Sequence, residues 1–325
     1  MNRGLLYGAS TYGIWGLLPL YWRLLDGAGA VEVLAHRFVW TLAFIALLLW
    51  LRPRSGWWRA LRQRPAALRY LAAAATVIAF NWYLYIWGVN HGRVVETSLG
   101  YFISPLITVL FGVVLFRERL RRGQWLALGL AVAGVGWLAI DYGRVPWVAA
   151  GLAVSFAAYG VLKKKAATPA IEGLAVEATV VLPFMAGYLV WLEHAGRAEF
   201  GHAGWSASLL LAAAGPATAI PLLFFGGAVR RIPLTYLGLL QYLTPTVQFF
   251  LAVFAFGEPM PPERLAGFIL IWTALTTFTA ANLGRRGGQD HHFWPGALAS
   301  GVWLVVSRAS RVAIAASSSS KSRAA

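Results

Sequence analysis

Long hydrophobic runs, separated by short polar or basic loops, cover this chain almost from end to end. A helical membrane span needs roughly 20 mostly apolar residues. Ten segments meet or approach that requirement: residues 4–22, 33–51, 70–89, 97–116, 125–140, 146–162, 174–192, 206–228, 234–256 and 265–283. The fourth and ninth carry one pattern twice at an offset of 140 residues. Pro105 matches Pro245 in mid-segment and Glu118 matches Glu258 past the apolar run, while Ser104, Thr108 and Gly112 match Thr244, Gln248 and Ala252. An offset of 144 pairs Tyr12, Trp15 and Gly16 with Phe156, Tyr159 and Gly160, which links the first and sixth segments. Five segments per copy is an odd number, so the second copy enters the membrane from the opposite side. The sequence therefore predicts an all-α integral membrane fold of ten transmembrane helices in two inverted five-helix repeats, residues 1–143 and 144–283. A tail at 284–325, with its serine run, reads as a disordered cytoplasmic extension.

Composition supports this class: 59% of residues are hydrophobic, 12% are charged, and mean hydropathy is +0.63. The net charge of +16 raises nucleic acid as a partner, but the placement of the basic residues answers otherwise. With the N-terminus in the cytoplasm, twenty-two Lys and Arg fall in cytoplasmic segments and five on the other side. That bias puts both termini in the cytoplasm. Attraction to anionic membrane lipid comes second, and dispersal over short loops argues against nucleic acid. The first segment follows a single Arg3 and lacks a small-residue cleavage site, so it reads as a retained anchor.

The chain has no cysteine, which excludes disulfides, thiolate nucleophiles and zinc–thiolate sites. His291 and His292 have no partner at metal-ligand spacing, and no phosphate loop, nucleophile elbow or paired intramembrane carboxylates occur. No cofactor or metal is expected. Gly129, Gly134 and Gly136 in the fifth segment follow no strand and read as close helix packing.

Polar groups inside apolar segments mark candidate sites, because a charge at the bilayer centre costs on the order of 3 kcal/mol. Arg37 and Glu177 are 140 residues apart, so the repeat makes them equivalent. Inversion then places Arg37 nearer the outer face and Glu177 nearer the inner face. They are poor partners for a direct ion pair, and they suit the two mouths of a shared cavity or, alternatively, separate partners at their own interfaces. A desolvated guanidinium suits a carboxylate-bearing solute. His36 and Glu177 are the intramembrane groups able to carry a coupled proton. Asn81 needs a partner and should face the bundle; the aromatics around it, Trp82, Tyr83, Tyr85 and Trp87, read either as packing or as a cavity wall. Tyr101 and Gln241 are repeat partners and, with Tyr242, are candidate substrate contacts. Gly100, Ser104, Thr108 and Gly112 form a small-residue stripe suited to close packing. Pro105 and Pro245 are expected hinges, and Pro216 and Pro221 an expected break in the eighth segment. Glu118 and Glu258, unfavourable with the dipole of their own helix, read as turn-fixing groups answered by the start of the next helix or by Arg117, Arg119 and Arg264.

NWYLYIWGVN at 81–90, ETSLGYFISPL at 96–106, GLAVSFAAYGVLKKK at 151–165 and GLLQYLTP at 238–245 resemble the RarD group of EamA-type carriers in the drug/metabolite transporter superfamily. The resemblance runs in order from Gly4 to about Leu283, and the tail departs from it. It implies ten helices in two repeats, an inner-membrane location, and a central cavity framed by the first four helices of each repeat. It also implies export or permeation of a small molecule of no particular identity. Nothing in the sequence resembles a nucleotide-binding domain, so the energy is expected from a gradient or from solute exchange, not from ATP. A membrane-embedded enzyme would need a catalytic constellation, which His36, Arg37 and Glu177 do not form. A non-transporting receptor or assembly protein is the alternative reading.

Overall fold

The computed structural model describes residues 2–25, 27–51, 56–140, 146–255 and 262–283. Glu258 and the tail at 284–325 lie outside them, as do the side chains of residues 261–264. All regular structure among the described residues is helical: α1 (Asn2–Trp22), α2 (Ala30–Leu51), α3 (Trp57–Arg62), α4 (Pro65–Asn90), α5 (Val94–Phe116), α6 (Arg122–Ile140), α7 (Trp147–Ala166), α8 (Ala170–His194), α9 (Trp205–Val229), α10 (Leu234–Gln241), α11 (Leu243–Phe250) and α12 (Pro262–Leu283). Each of the ten apolar segments carries helix. Among the described residues six stretches are long and apolar enough to cross a membrane: Ala30–Leu51, Pro65–Val89, Glu96–Phe116, Ala170–His194, Trp205–Val229 and Leu234–Ala255; Leu265–Ala280 is a shorter apolar helix. Trp205, Trp50 and Phe184 stand 82%, 76% and 75% exposed, an outward apolar surface that suits lipid. Residues 1–275 form one unit; what is described of the second, 276–325, is the end of α12.

Three features differ from the sequence expectation. The short helix α3 occupies part of a basic stretch expected to be a loop. The ninth segment is not continuous: it is α10, α11 and a π turn at Leu251–Ala255. Pro245 causes the first break, because it has no N–H for the Gln241 carbonyl and its ring crowds that oxygen. The Tyr242 N–H turns to Leu239 O at 3.3 Å, an i→i−3 bond that tightens the chain there. Conversely, α9 runs unbroken through Pro216 and Pro221, and α5 through Pro105. Two threonines from neighbouring helices bond the α9 backbone beside these prolines, Thr41 Oγ1 donating to Gly215 O at 3.1 Å and Thr11 Oγ1 to Pro221 O at 3.3 Å.

The helices pack in matched pairs. α1 lies on α9 and on α10–α11, as α7 lies on α4 and α5; α2 lies on α9, as α8 lies on α4; α2 meets α8 and α5 meets α10. Exchanging α1 with α7, α2 with α8, α4 with α9, and α5 with α10–α11 leaves this set of neighbours unchanged. The residues that pair at the 144 offset meet in one aromatic cluster. Trp15 is 5.7 Å from Phe156 and 5.6 Å from Tyr12, and Phe225 stacks on Tyr159 at 5.4 Å. At two crossings a glycine lets backbone approach backbone. A Cβ on Gly238 would lie 2.8 Å from the Pro105 carbonyl, and one on Gly215 would overlap the backbone of Trp40.

Candidate functional site

Arg37 sits seven residues into α2, about 10 Å along the helix. Its Nε–H donates to Thr218 Oγ1 at 3.0 Å, which ties α2 to α9. The guanidinium lies over the ring of Trp82 at 4.1 Å and over that of Trp22 at 4.8 Å. Contacts of this kind are worth about 0.5–2 kcal/mol each. One turn beyond Trp82 on α4, Tyr85 meets Tyr101 of α5 edge to face at 5.8 Å. These two tyrosines keep 37% and 41% of their surface exposed. Among the described residues no carboxylate pairs with Arg37.

Glu177 occupies a closed setting. Lys163 Nζ donates to Oε1 at 2.6 Å and the Tyr159 hydroxyl donates to Oε2 at 2.9 Å; the Lys163 and Glu177 side chains are 5% and 3% exposed. Tyr159 and Lys163 stand one helical turn apart on α7, so a single face delivers both donors to α8. Lys163, counted above only among the cytoplasmic basic residues, is a functional group that the charge pattern does not single out. The i, i+4 spacing of Tyr159 and Lys163 opposite a buried carboxylate was the available signal. A cavity of about 10 Å³, close to the room one water needs, is lined by Trp82 and Thr218 from the Arg37 cluster and by Tyr159 and Glu177 from the triad. Arg37 and Glu177 make no direct ion pair, and the groups around each reach the same cavity.

The other candidate contacts fall in helix seams. Asn81 spends both amide donors on α7, to Leu152 O at 2.9 Å and Ser155 Oγ at 2.7 Å. Gln241 Nε2 donates to Ser104 Oγ at 2.8 Å, and the Tyr242 hydroxyl donates to Phe102 O at 3.2 Å, so both join the end of α10 to α5 beside the Pro245 break. His36, on a different face of α2 from Arg37, stacks on Phe200 at 4.8 Å; its Nδ1 accepts from Trp40 Nε1 at 3.2 Å, and its Nε2 lies 3.9 Å from Glu32. Of the five substrate candidates, Arg37 and Tyr101 share a cluster, and Asn81, Gln241 and Tyr242 do not join it.

Glu118 answers neither to the next helix nor to Arg117 and Arg119. It accepts from the backbone N–H groups of Leu234 and Thr235, both at 2.8 Å, and from Lys164 Nζ at 3.0 Å. It thus caps the first turn of α10, whose preceding residue, Pro233, offers no side-chain cap. The sequence could not reveal this partner, 116 residues away. Gly112 leaves room for this arrangement, since a Cβ there would lie 2.6 Å from Glu118 Oε2 and 3.0 Å from the Thr235 backbone nitrogen. The rest of the stripe also packs closely: a Cβ on Gly100 would lie 3.1 Å from Leu152.

With this geometry in view, the comparisons with known proteins agree with one another. The model of the EamA-like transporter family matches residues 2–140. A Streptomyces exfoliatus protein named Protein RarD is 53% identical over 285 residues, covering 87% of this chain and 90% of that protein. An uncharacterized transporter of Pseudomonas aeruginosa is 43% identical over 279 residues, covering 86% and 94%. A solved crystal structure shares the fold, with a TM-score of 0.66 at 20% identity over 88% of this chain and 99% of that one. The chain is a multi-pass membrane protein and belongs to the RarD group of the EamA-like transporter family.

Proposed function

We propose that this chain is a secondary carrier that moves a small amphipathic organic solute across a bacterial inner membrane by alternating access. It would use ten spans in two inverted halves, 1–143 and 144–283, with both termini in the cytoplasm. The observation that carries the reading is a small, mostly apolar cavity inside the bundle, lined by Trp82 and Thr218, which hold Arg37, and by Tyr159 and Glu177 of the buried triad. The exchange symmetry of the helix neighbours supports the inverted repeat, since two such halves rocking about a fixed site expose it to either face in turn. The Streptomyces and Pseudomonas relatives, named as RarD and as a transporter, support the activity.

In this reading Arg37 and Tyr101 contact the solute, and the α10–α11 break at Gln241–Leu243 is a hinge. Glu177 carries a coupled proton: when its carboxylate is neutralised, the attraction that holds Lys163 at 2.6 Å falls away and α7 and α8 are free to part. His36, packed on Phe200, does not line the cavity and is the weaker coupling candidate. The test is flux of a metabolite panel in proteoliposomes with an imposed pH gradient, against protein-free liposomes. The expected result is protein-dependent uptake whose gradient dependence, but not whose solute exchange, is lost in Glu177→Gln. No protein-dependent flux of any solute would overturn the carrier reading.

A further inference from the structure

We infer that the solute bound at the Arg37 cluster is an aromatic carboxylate. The inference rests on the proposal that this cluster is the carrier's solute site. A guanidinium has five N–H donors; of those on Arg37, one is taken, by Thr218, and no carboxylate among the described residues pairs with the rest. A cation held within a bundle without a counter-ion is costly, and the usual remedy is an acid from the protein. Elsewhere this protein supplies that remedy: Lys163 has Glu177, Lys164 has Glu118 and Arg93 has Glu96. At Arg37 the surroundings are instead two indole faces, Trp82 at 4.1 Å and Trp22 at 4.8 Å, which attract a cation without neutralising it.

The anchoring also fixes how an anion would be met. The bond from Nε to Thr218 and the contacts with the two indoles restrain the guanidinium, which leaves the terminal nitrogens as a fork suited to the two oxygens of a carboxylate. Tyr85 stands one helical turn from Trp82 on α4 and pairs with Tyr101, and each of the two keeps more than a third of its surface open, 37% and 41%. Their edge-to-face pairing offers a flat apolar ring an aromatic wall and offers hydroxyls to a polar substituent. The fixed positive charge disfavours amines of the same shape. An anionic head with an aromatic body satisfies both parts of the site; a simple inorganic anion satisfies one.

The test is isothermal titration calorimetry of the purified full-length protein in detergent. The probes are benzoate, 2-naphthoate, benzylamine, benzyl alcohol, acetate, inorganic phosphate and a short-chain phosphatidylglycerol. Benzoate or naphthoate should bind and benzylamine should not. Arg37→Lys, which keeps the charge and loses the fork, should weaken that binding by about tenfold or more, the scale of one charge-assisted hydrogen bond. Tyr101→Leu should weaken naphthoate and leave acetate unchanged. A thermal melt of each variant separates a lost site from a lost fold, and Tyr101→Leu serves if Arg37→Lys does not fold. Binding equal in wild type and Arg37→Lys overturns the inference. So does failure of both aromatic acids to bind, or binding confined to phosphate and phosphatidylglycerol, which would make this a lipid-headgroup site. Arg37-dependent binding without flux in proteoliposomes would leave the inference standing and remove the carrier reading. Flux of a solute indifferent to Arg37→Lys would do the reverse.

Discussion

Replacing Glu118 by Gln tests whether a carboxylate at the end of α5 holds the start of α10. The first N–H groups of a helix have no partner within it, and here the carboxylate accepts two of them at 2.8 Å while also holding Lys164 at 3.0 Å. The side chain is 13% exposed, so solvent replaces little of what is lost. Gln keeps one acceptor oxygen and turns the other into a donor that faces an N–H. The loss is therefore one hydrogen bond to a charged group, about 1.5–3 kcal/mol, and the favourable charge at a helix N-terminus, about 0.3–1 kcal/mol. A total of about 2–4 kcal/mol is expected at pH 7. Burial pushes the Glu118 carboxyl up, but the two backbone donors and Lys164 outweigh it and hold it below the usual carboxylate range. A group depressed in the folded state contributes fully above its unfolded pKa, about 4.3, and loses that contribution as pH falls through the folded value. The gap between wild type and Glu118→Gln should therefore be widest at neutral pH and close in acid. Reversible unfolding in mixed micelles, followed by circular dichroism at both pH values, measures it. Equal stability at pH 7, or a gap that persists unchanged in acid, would refute the capping argument.

Lys163→Met should destabilise by about 3–5 kcal/mol by stranding a buried carboxylate, whereas the double variant Lys163→Met/Glu177→Gln should recover most of the loss; additive losses in the same unfolding assay would reject the buried pair. Gly215→Ala should cost about 3 kcal/mol or more, because the added carbon overlaps the Trp40 backbone at the α2–α9 crossing, and an unchanged melting temperature would show that the crossing is looser. Pro245→Ala should restore a helical bond to the Gln241 carbonyl and slow solute exchange without harming membrane insertion; wild-type exchange kinetics would confine Pro245 to packing. Reporter fusions after Arg64 and after Gly201 should report cytoplasm and periplasm respectively, and the opposite result would reject the ten-span topology.

The apolar runs alone determined the all-helical membrane class and the positions of its helices, because a span is a local property: each must carry enough hydrocarbon to cross lipid, whatever its neighbours are. Counting also pairs Pro105 with Pro245 and Tyr12 with Phe156, which is what the expectation of a repeat rests on. That Arg37 and Glu177 would not meet also followed from counting. What those groups do meet did not. Thr218, Trp82 and Trp22 come to Arg37 from α9, α4 and α1, Lys163 comes to Glu177 from α7, and Leu234 brings its N–H to Glu118 across 116 residues. The fates of the prolines were likewise undecided: Pro245 breaks its helix, while α9 runs on through Pro216 and Pro221. Spans are written along the chain and read by lipid, whereas partners depend on which faces two helices turn to each other, and only the tertiary structure decides that.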